Sequence, residues 1–264
     1  MSPRVPAILT ALLLLLWNPS VRADEAAEQL VLATYKLAND ASTATGTVYR
    51  RKIAEGKTHC YVVTAAHVFE AMKGDACALV SRTRHDDGLY MRHEIQVPVR
   101  NDGKPLLKKH SKQDIAVLLL PDDLSIEALP FECLATEEAL KQIHVGDDVC
   151  SAVYPERSEA NSAGLPILRR GMIASHPLLP VKPHPMYLVD TTAWPGDSGG
   201  PVSHKTLRAP TGGPLVIGIV RGMRNITDTV KESRFVEKKT HYPLGISEVL
   251  HAVLARDLIL EQWP

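Results

Sequence analysis

Nine residues constrain this chain more than any others: Trp194-Pro195-Gly196-Asp197-Ser198-Gly199-Gly200-Pro201-Val202. A serine stands among small, turn-forming residues, and an apolar, strand-like run follows it. Glycine lets the backbone turn sharply and leaves amide N–H groups uncovered. A nucleophilic serine needs that setting, because its hydroxyl must project while nearby N–H groups point at the oxyanion formed when it attacks a carbonyl. Taken alone the string also fits an ordinary glycine turn, so the remainder of the chain has to supply the scaffold and the partners.

The scaffold reads as β. Gly46-Thr47-Val48-Tyr49 and Thr58 to Ala65 are two strands joined by a charged hairpin, Arg50 to Lys57. Cys77 to Ser81, Met91 to Val99 and Ile115 to Leu120 are further strands, separated by the turn signals Asp86-Asp87-Gly88 and Asn101-Asp102-Gly103. Pro121 to Gly146 divides the chain and carries a short helical run, Glu137 to Gln142. Strands resume at Asp148 to Val153, Gly164 to Ala174, Pro185 to Thr191, Gly200 to Ser203, Leu215 to Val220 and Thr240 to Leu244. The pattern predicts an all-β fold of two similar halves. An amphipathic helix closes it, with Ser247 as the expected cap and Val249, Leu250, Val253 and Leu254 on one face.

Two stretches hold the groups that a serine nucleophile requires. In Val62-Val63-Thr64-Ala65-Ala66-His67-Val68 a histidine follows small residues at the end of an apolar strand, where the chain can turn and expose an imidazole. A lone histidine there is more often a satisfied structural residue. In Gln113-Asp114-Ile115-Ala116-Val117-Leu118-Leu119-Leu120 an acid opens a strongly apolar strand. Burying that carboxylate is costly unless it is hydrogen-bonded, and alone it reads as a strand-end turn acid. Together they make a constellation. Histidine titrates in the range of a general base, a buried aspartate fixes its tautomer, and serine is weak until its proton is taken. The order His67, Asp114, Ser198 differs from the Ser–Asp–His order of α/β-hydrolases.

"TAAH", "DIAVLLL" and "GDSGGPV" resemble the three active-site signatures of the chymotrypsin-fold (trypsin-like) serine proteases, over about residues 44–250. Val145-Gly146-Asp147-Asp148-Val149, followed by Val153-Tyr154-Pro155, resembles the strand opening the second barrel in bacterial members, and Arg170-Gly171-Met172-Ile173-Ala174 resembles the strand after it. The resemblance implies two six-stranded antiparallel β-barrels with the active site in the cleft between them. The expected division is a signal peptide over 1–23, an arm or helix over 24–43, barrels over 44–130 and 131–246, and a helix and tail over 247–264. It implies Ser198 as nucleophile, His67 as base and then acid, Asp114 as the group orienting it, and the N–H groups of Gly196 and Ser198 as oxyanion hole. The substrate pocket would involve Thr192, Gly218, Val220 and Arg221.

Departures from the pattern carry information. Thr192, six before the serine, is not an acid, which argues against strict Arg/Lys specificity. Arg221 near the pocket wall would favour an acidic substrate residue or simply be solvated. Animal members pair the acid before the serine with a new "IVGG"-like N-terminus. Asp197 is present here without such a segment, so another group must satisfy it or it points elsewhere. Val68, not cysteine, follows the histidine. The match is thus closer to bacterial secreted or periplasmic enzymes, and no PDZ domain is expected after about residue 255.

Arg4, the apolar run Ala7 to Trp17 and Val21-Arg22-Ala23 read as a secretory signal cleaved after Ala23. That run is short of the ~20 residues of a spanning helix. The expected location is therefore secreted or periplasmic, with no stable membrane insertion. Cleavage removes Arg4 and Arg22 and no acid, leaving 28 basic and 30 acidic side chains, formally −2. This balance gives no reason to expect a nucleic-acid partner. All four cysteines, Cys60, Cys77, Cys133 and Cys150, lie in the mature part. In an exported chain they favour disulfides. Of three pairings, Cys60–Cys77 and Cys133–Cys150 close the shortest loops. Asn225-Ile226-Thr227 is a glycosylation sequon. No HExxH or CxxC spacing occurs, so neither metal nor cofactor is expected. The function expected is an exported serine endopeptidase acting on polypeptides. The alternatives are a binding module on the same scaffold, or an esterase using the same triad.

Overall fold

The β-branched and aromatic runs form strands whose inward faces are buried, and the turn glycines and aspartates lie between them. The computed structural model describes residues 19–39, 42–53, 56–122, 124–231 and 237–264. In chain order the strands and helices are α1 (Pro19–Leu32), β1 (Thr34–Ala38), β2 (Thr43–Lys52), β3 (Thr58–Thr64), α2 (Ala66–Ala71), β4 (Ala76–Arg84), β5 (Tyr90–Pro98), β6 (Arg100–Asn101), β7 (Lys104–Pro105), β8 (Lys108–Lys109), β9 (Ala116–Leu119), β10 (Leu129–Pro130), α3 (Glu137–Leu140), β11 (Asp148–Val153), β12 (Ile167–Met172), β13 (Met186–Asp190), β14 (Pro201–Arg208), β15 (Pro214–Lys231), β16 (Glu237–His251) and α4 (Val253–Gln262).

The first half is a sheet of order β5-β4-β1-β2-β3-β9-β8, with β10 added parallel to β2. Its six longer strands match the expected barrel, and β8 and β10 extend it by two-residue pairings. The second half has the order β12-β11-β14-β15-β16-β13, and a bridge from Ile173 to Val189 draws its two edges together. The architecture is thus the all-β, chymotrypsin-like double barrel with a C-terminal helix. Tyr35, Leu37, Val48, Phe69 and Leu79 are among the residues filling the first half, and Val149, Tyr187, Val202 and Ile217 are among those filling the second. A third core lies between them, with Tyr49, Tyr61, Phe131, Val216 and Ile219 packed against Leu30 of α1 and Leu258 and Ile259 of α4. That middle layer fixes one half against the other, and the site lies at their junction.

Several local expectations need correction. Strand β1, inside the span read as an arm, pairs with β2 and β4 and belongs to the first sheet. The C-terminal helix starts at Val253, because Ser247, Val249 and Leu250 are β16 residues; the Ser247 hydroxyl caps no helix and donates to the Thr191 carbonyl. The expected signal falls largely outside the described residues, and α1 runs through the expected cut after Ala23. Among the described residues no helix is long and apolar enough to cross a membrane.

The four cysteines are free, which overturns the disulfide pairing. Nearness in sequence does not become nearness in space here. Cys60 on β3 and Cys77 on β4 are separated in the sheet by β1 and β2. Cys133 is buried between the halves with its Sγ 3.8 Å from Thr211 Oγ1, while Cys150 sits on β11 opposite Arg170 and Ser203. Burial pushes the thiols of Cys77 and Cys133 up to about 11, so both stay neutral.

Arg82 joins three parts of the chain. Buried on β4, its guanidinium donates to the carbonyls of Val31 and Leu32 at the end of α1, of Thr34 at the start of β1 and of Gly164 in the second half, and it lies 4.7 Å from the Tyr35 ring centre. Arg82→Ala would take the donor from the Val31 and Leu32 carbonyls, while those of Thr34 and Gly164 still face the Tyr154 hydroxyl, at about 1–3 kcal/mol for each buried group stranded. We expect a loss of roughly 3 kcal/mol or more, measured by urea unfolding.

Candidate active site

The apolar strand β3 delivers the histidine. After Thr64 the chain passes through extended Ala65 (φ −72°, ψ 140°) into the six-residue helix α2, with His67 as its second residue. Ala65 and Ala66 are buried, so the turn needs their small side chains, while the His67 side chain stays 46% exposed. Asp114 precedes β9, the strand paired with β3, and this neighbour relation brings the acid to the imidazole. Asp114 Oδ1 accepts from the His67 backbone N–H at 2.9 Å, and Oδ2 lies 2.6 Å from His67 Nδ1. Burial pushes the Asp114 carboxyl up, but hydrogen bonds from the His67 ring and backbone and the charge of Arg221 outweigh it and hold the group below the usual carboxylate range. A carboxylate in this position assigns the ring proton to Nδ1 and leaves Nε2 as an acceptor.

Ser198 comes from the other half. Its Oγ is 3.1 Å from His67 Nε2 and 3.2 Å from the Arg221 carbonyl oxygen, two acceptors within reach of its single proton. The turn that holds it is fixed by Thr45 of β2. The Thr45 N–H donates to the Ser198 carbonyl at 3.0 Å and its hydroxyl to the Gly196 carbonyl at 2.8 Å. Gly196 has φ +101°, and a Cβ there would stand 2.3 Å from the Tyr154 carbonyl oxygen. A Cβ on Gly199 would stand 2.0 Å from Thr64 Oγ1. Among the described residues neither the Gly196 nor the Ser198 N–H donates a hydrogen bond, so both are free to receive an anion. The Pro195 carbonyl, part of the peptide that carries the Gly196 N–H, is tied to the N–H of Glu156 at 2.7 Å. Glu156 and Arg157 are left-handed, with φ 49° and 66°, so backbone strain is stored next to this turn.

Asp197 has a partner that the sequence did not disclose. Its Oδ2 accepts from Arg169 Nη1 and from the Trp194 N–H, both at 2.9 Å. Arg169, on β12, takes the place of a terminal ammonium. Burial pushes the Asp197 carboxyl up to about 6, and the Trp194 N–H and Arg169 offset only part of that. The four pocket residues do not share one place. Gly218 is overlaid by the Tyr187 hydroxyl, which a Cβ would meet at 2.3 Å, and Val220 lines a small cavity inside the second half with Arg169, Asp197 and Ser247. Gly218 lies between Val202 of β14 and His251 of β16, and Val220, bonded to Gly199 and Gly200, is buried in the core of the second half. Thr192 is half-buried beside Gly245, and Arg221 stands next to the triad. Its Nε is 3.8 Å from Asp114 Oδ2 and its Nη1 2.8 Å from Glu248 Oε2, with Arg224 Nε 3.2 Å from the other Glu248 oxygen. Arg221 is therefore ion-paired rather than simply solvated.

Two antiparallel β halves meeting at a serine turn, with an imidazole and a carboxylate in hydrogen-bonding sequence, define a chymotrypsin-fold hydrolase site. A trypsin-like peptidase domain matches residues 44–209, and the chain belongs to that family. The fold is similar to that of the HL collagenase structure, at 14% identity and a TM-score of 0.53, covering 89% of this chain and 94% of the other. The inactive form of the Rv3671c protease aligns at 18% identity and a TM-score of 0.48, covering 94% and 97%. No curated protein matches the sequence.

Removing one partner of a buried ion pair costs about 3–5 kcal/mol, because a charge is left uncompensated. We expect Arg169→Met to lose stability on that scale in urea unfolding. Adding Asp197→Asn to Arg169→Met should cost less than the same change in the parent chain.

Proposed function

We propose that the chain is an exported serine endopeptidase working through His67, Asp114 and Ser198 and an acyl-enzyme. The observation that carries the reading is the unbroken line from Asp114 Oδ2 to His67 Nδ1 at 2.6 Å and from His67 Nε2 to Ser198 Oγ at 3.1 Å. As Ser198 Oγ bonds to the scissile carbonyl carbon, its proton passes to Nε2, and Asp114 stabilises the imidazolium. The carbonyl oxygen becomes an oxyanion within reach of the Gly196 and Ser198 N–H groups, each such donor contributing roughly 3–4 kcal/mol to the transition state. The tetrahedral species collapses, His67 protonates the departing amine, and the acyl ester remains on Ser198. Water, deprotonated by His67, then attacks the ester and restores the serine. A groove of about 280 Å³ lined by Ser42, Thr43, Glu156, Arg157, Pro195 and Gly196 opens beside the oxyanion turn and gives polypeptide room there. Export is supported by the N-terminal basic residue, apolar run and small residue at the expected cut. The binding-module reading has no observation in its favour, since each triad member is present and in register. The same triad would also hydrolyse activated esters.

Ser198→Ala should abolish hydrolysis of a protein substrate, by roughly 10⁶-fold in kcat, with the unfolding curve unchanged. Residual turnover near the parent rate would overturn the assignment.

A further inference from the structure

Each N–H of the oxyanion turn shares a peptide with the carbonyl before it, and in a planar trans peptide the two point in opposite directions. Holding the carbonyl therefore aims the N–H. For Ser198 the hold is internal to the turn, since the Asp197 carbonyl accepts from the Gly200 N–H at 2.9 Å. For Gly196 it comes from outside, through the 2.7 Å bond from the Glu156 N–H to the Pro195 carbonyl. Gly196, at φ +101°, has no side chain to stop that peptide from turning over. Glu156 and Arg157 are themselves left-handed at φ 49° and 66°, a conformation that persists only where the surroundings over-determine it. Those surroundings belong to the first half. Lys36 of β1 donates from Nζ to the Arg157 carbonyl at 2.8 Å and to Glu159 Oε1 at 2.9 Å. Arg92 of β5 grips the same carboxylate, with Nε 3.2 Å from Oε2 and Nη2 3.3 Å from Oε1. Hydrogen bonds from both cations outweigh burial and hold the Glu159 carboxyl below the usual range. Lys36 also stands directly opposite Thr45 across the β1–β2 pair. One cross-strand pair thus reaches both carbonyls that flank the Gly196 Cα: the Thr45 hydroxyl holds that of Gly196, and Lys36, through the 156–157 turn, holds that of Pro195.

We propose that Lys36 is a positioning residue for the oxyanion hole: by fixing the turn at Arg157 and Glu159 it keeps the Glu156 N–H on the Pro195 carbonyl, and so keeps the Gly196 N–H aimed at the developing oxyanion. The inference rests on the peptidase reading above. Lys36 touches no reacting atom and acts only through this chain of contacts. Without it the turn loses its bonds at the Arg157 carbonyl and at Glu159 Oε1, and the left-handed pair is free to relax. The Pro195–Gly196 peptide is then free to turn, which would replace a donor in the hole by a carbonyl oxygen that repels the oxyanion. Because the hole's hydrogen bonds strengthen as charge develops, the loss falls on kcat more than on KM. The side chains of Lys36 and Glu159 are only 13% and 17% exposed, so salt screens their pairing weakly.

The test uses the full chain, a fluorogenic peptide selected from a cleavage library, and a peptidyl trifluoromethyl ketone of the same sequence. Ser198 Oγ bonds to the ketone carbon, its proton passes to His67, and the ketone oxygen becomes an oxyanion in the hole. In Lys36→Met we expect kcat to fall roughly ten- to hundredfold, less than the loss of a whole oxyanion donor at its upper end, with KM changed by less than about threefold. The affinity for the ketone should fall by the same factor as kcat/KM. Binding of the dye-labelled peptide to Ser198→Ala, read by fluorescence anisotropy, should be the same with and without Lys36→Met. Lys36→Arg, which keeps the charge and the donors, should recover most of the rate. Replacing Glu156 by its α-hydroxy analogue removes that one N–H and should reproduce the loss, and it decides the matter if Lys36→Met does not fold. A parent-like kcat in folded Lys36→Met or in the α-hydroxy chain, or a fall in kcat that the ketone does not follow, would overturn the positioning role and leave the peptidase standing. A parent chain that cleaves no library member would overturn both.

Discussion

Thr45 holds the two halves in register at the candidate site. Its N–H and hydroxyl grip the carbonyls of Ser198 and Gly196, and its own carbonyl accepts from Thr64 at the end of β3. Thr64 lies three residues before His67. The nucleophile turn of one half is therefore hydrogen-bonded to the same strand pair of the other half that launches the histidine. All three residues of this link are tightly packed, which is why Gly199 accepts no side chain at 2.0 Å from Thr64 Oγ1. An imidazole and a hydroxyl 131 positions apart meet at 3.1 Å because the link between them is made by one backbone hydrogen bond and two short threonine hydroxyls rather than by long, flexible side chains.

Charge does the work that hydrophobic packing cannot do at this junction. Asp114, Asp197 and Glu248 each have a cationic partner at hand: Arg221 for the first, beside the His67 ring, Arg169 for the second, Arg221 and Arg224 for the third. Unpaired, a buried carboxylate would take up a proton or open the structure. Asp197 shows how fine the balance is, since burial still carries it up to about 6 with Arg169 in contact. Arg82, on the far side of the junction, is buried among carbonyls rather than carboxylates and acts as a connector for α1, β4 and the second half.

The candidate set His67, Asp114 and Ser198 could be picked out because each member sits in a local pattern that the proposed chemistry would require: small residues before His67, an apolar strand after Asp114, glycines around Ser198. The double-β architecture was legible from strand and turn spacing. Partners that meet only in the folded chain were not. Nothing distinguishes Arg169 from Arg170 in the sequence, yet only the former's side chain reaches Asp197. Gly218 and Val220 were placed on the cleft wall, but Gly218 is covered by the Tyr187 hydroxyl and Val220 is packed in the core of the second half, whereas Arg221 is exposed beside the site. The cysteine pairing failed for the same reason, since loop length in sequence carries no information about sheet order. The outer parts of β15 and β16 were missed because the strand pattern was followed only to Val220 and resumed only at Thr240, and the residues between them pair chiefly with each other.

The central claim is that these contacts make Ser198 a nucleophile and not merely an exposed hydroxyl. The most direct measurement is reaction of the folded chain with a fluorophosphonate probe, followed by intact mass and peptide mapping. The account predicts one adduct per chain, on Ser198, formed fast at neutral pH and lost in urea or after His67→Ala. An unlabelled chain, or labelling spread over other serines at the rate of the unfolded protein, would contradict it.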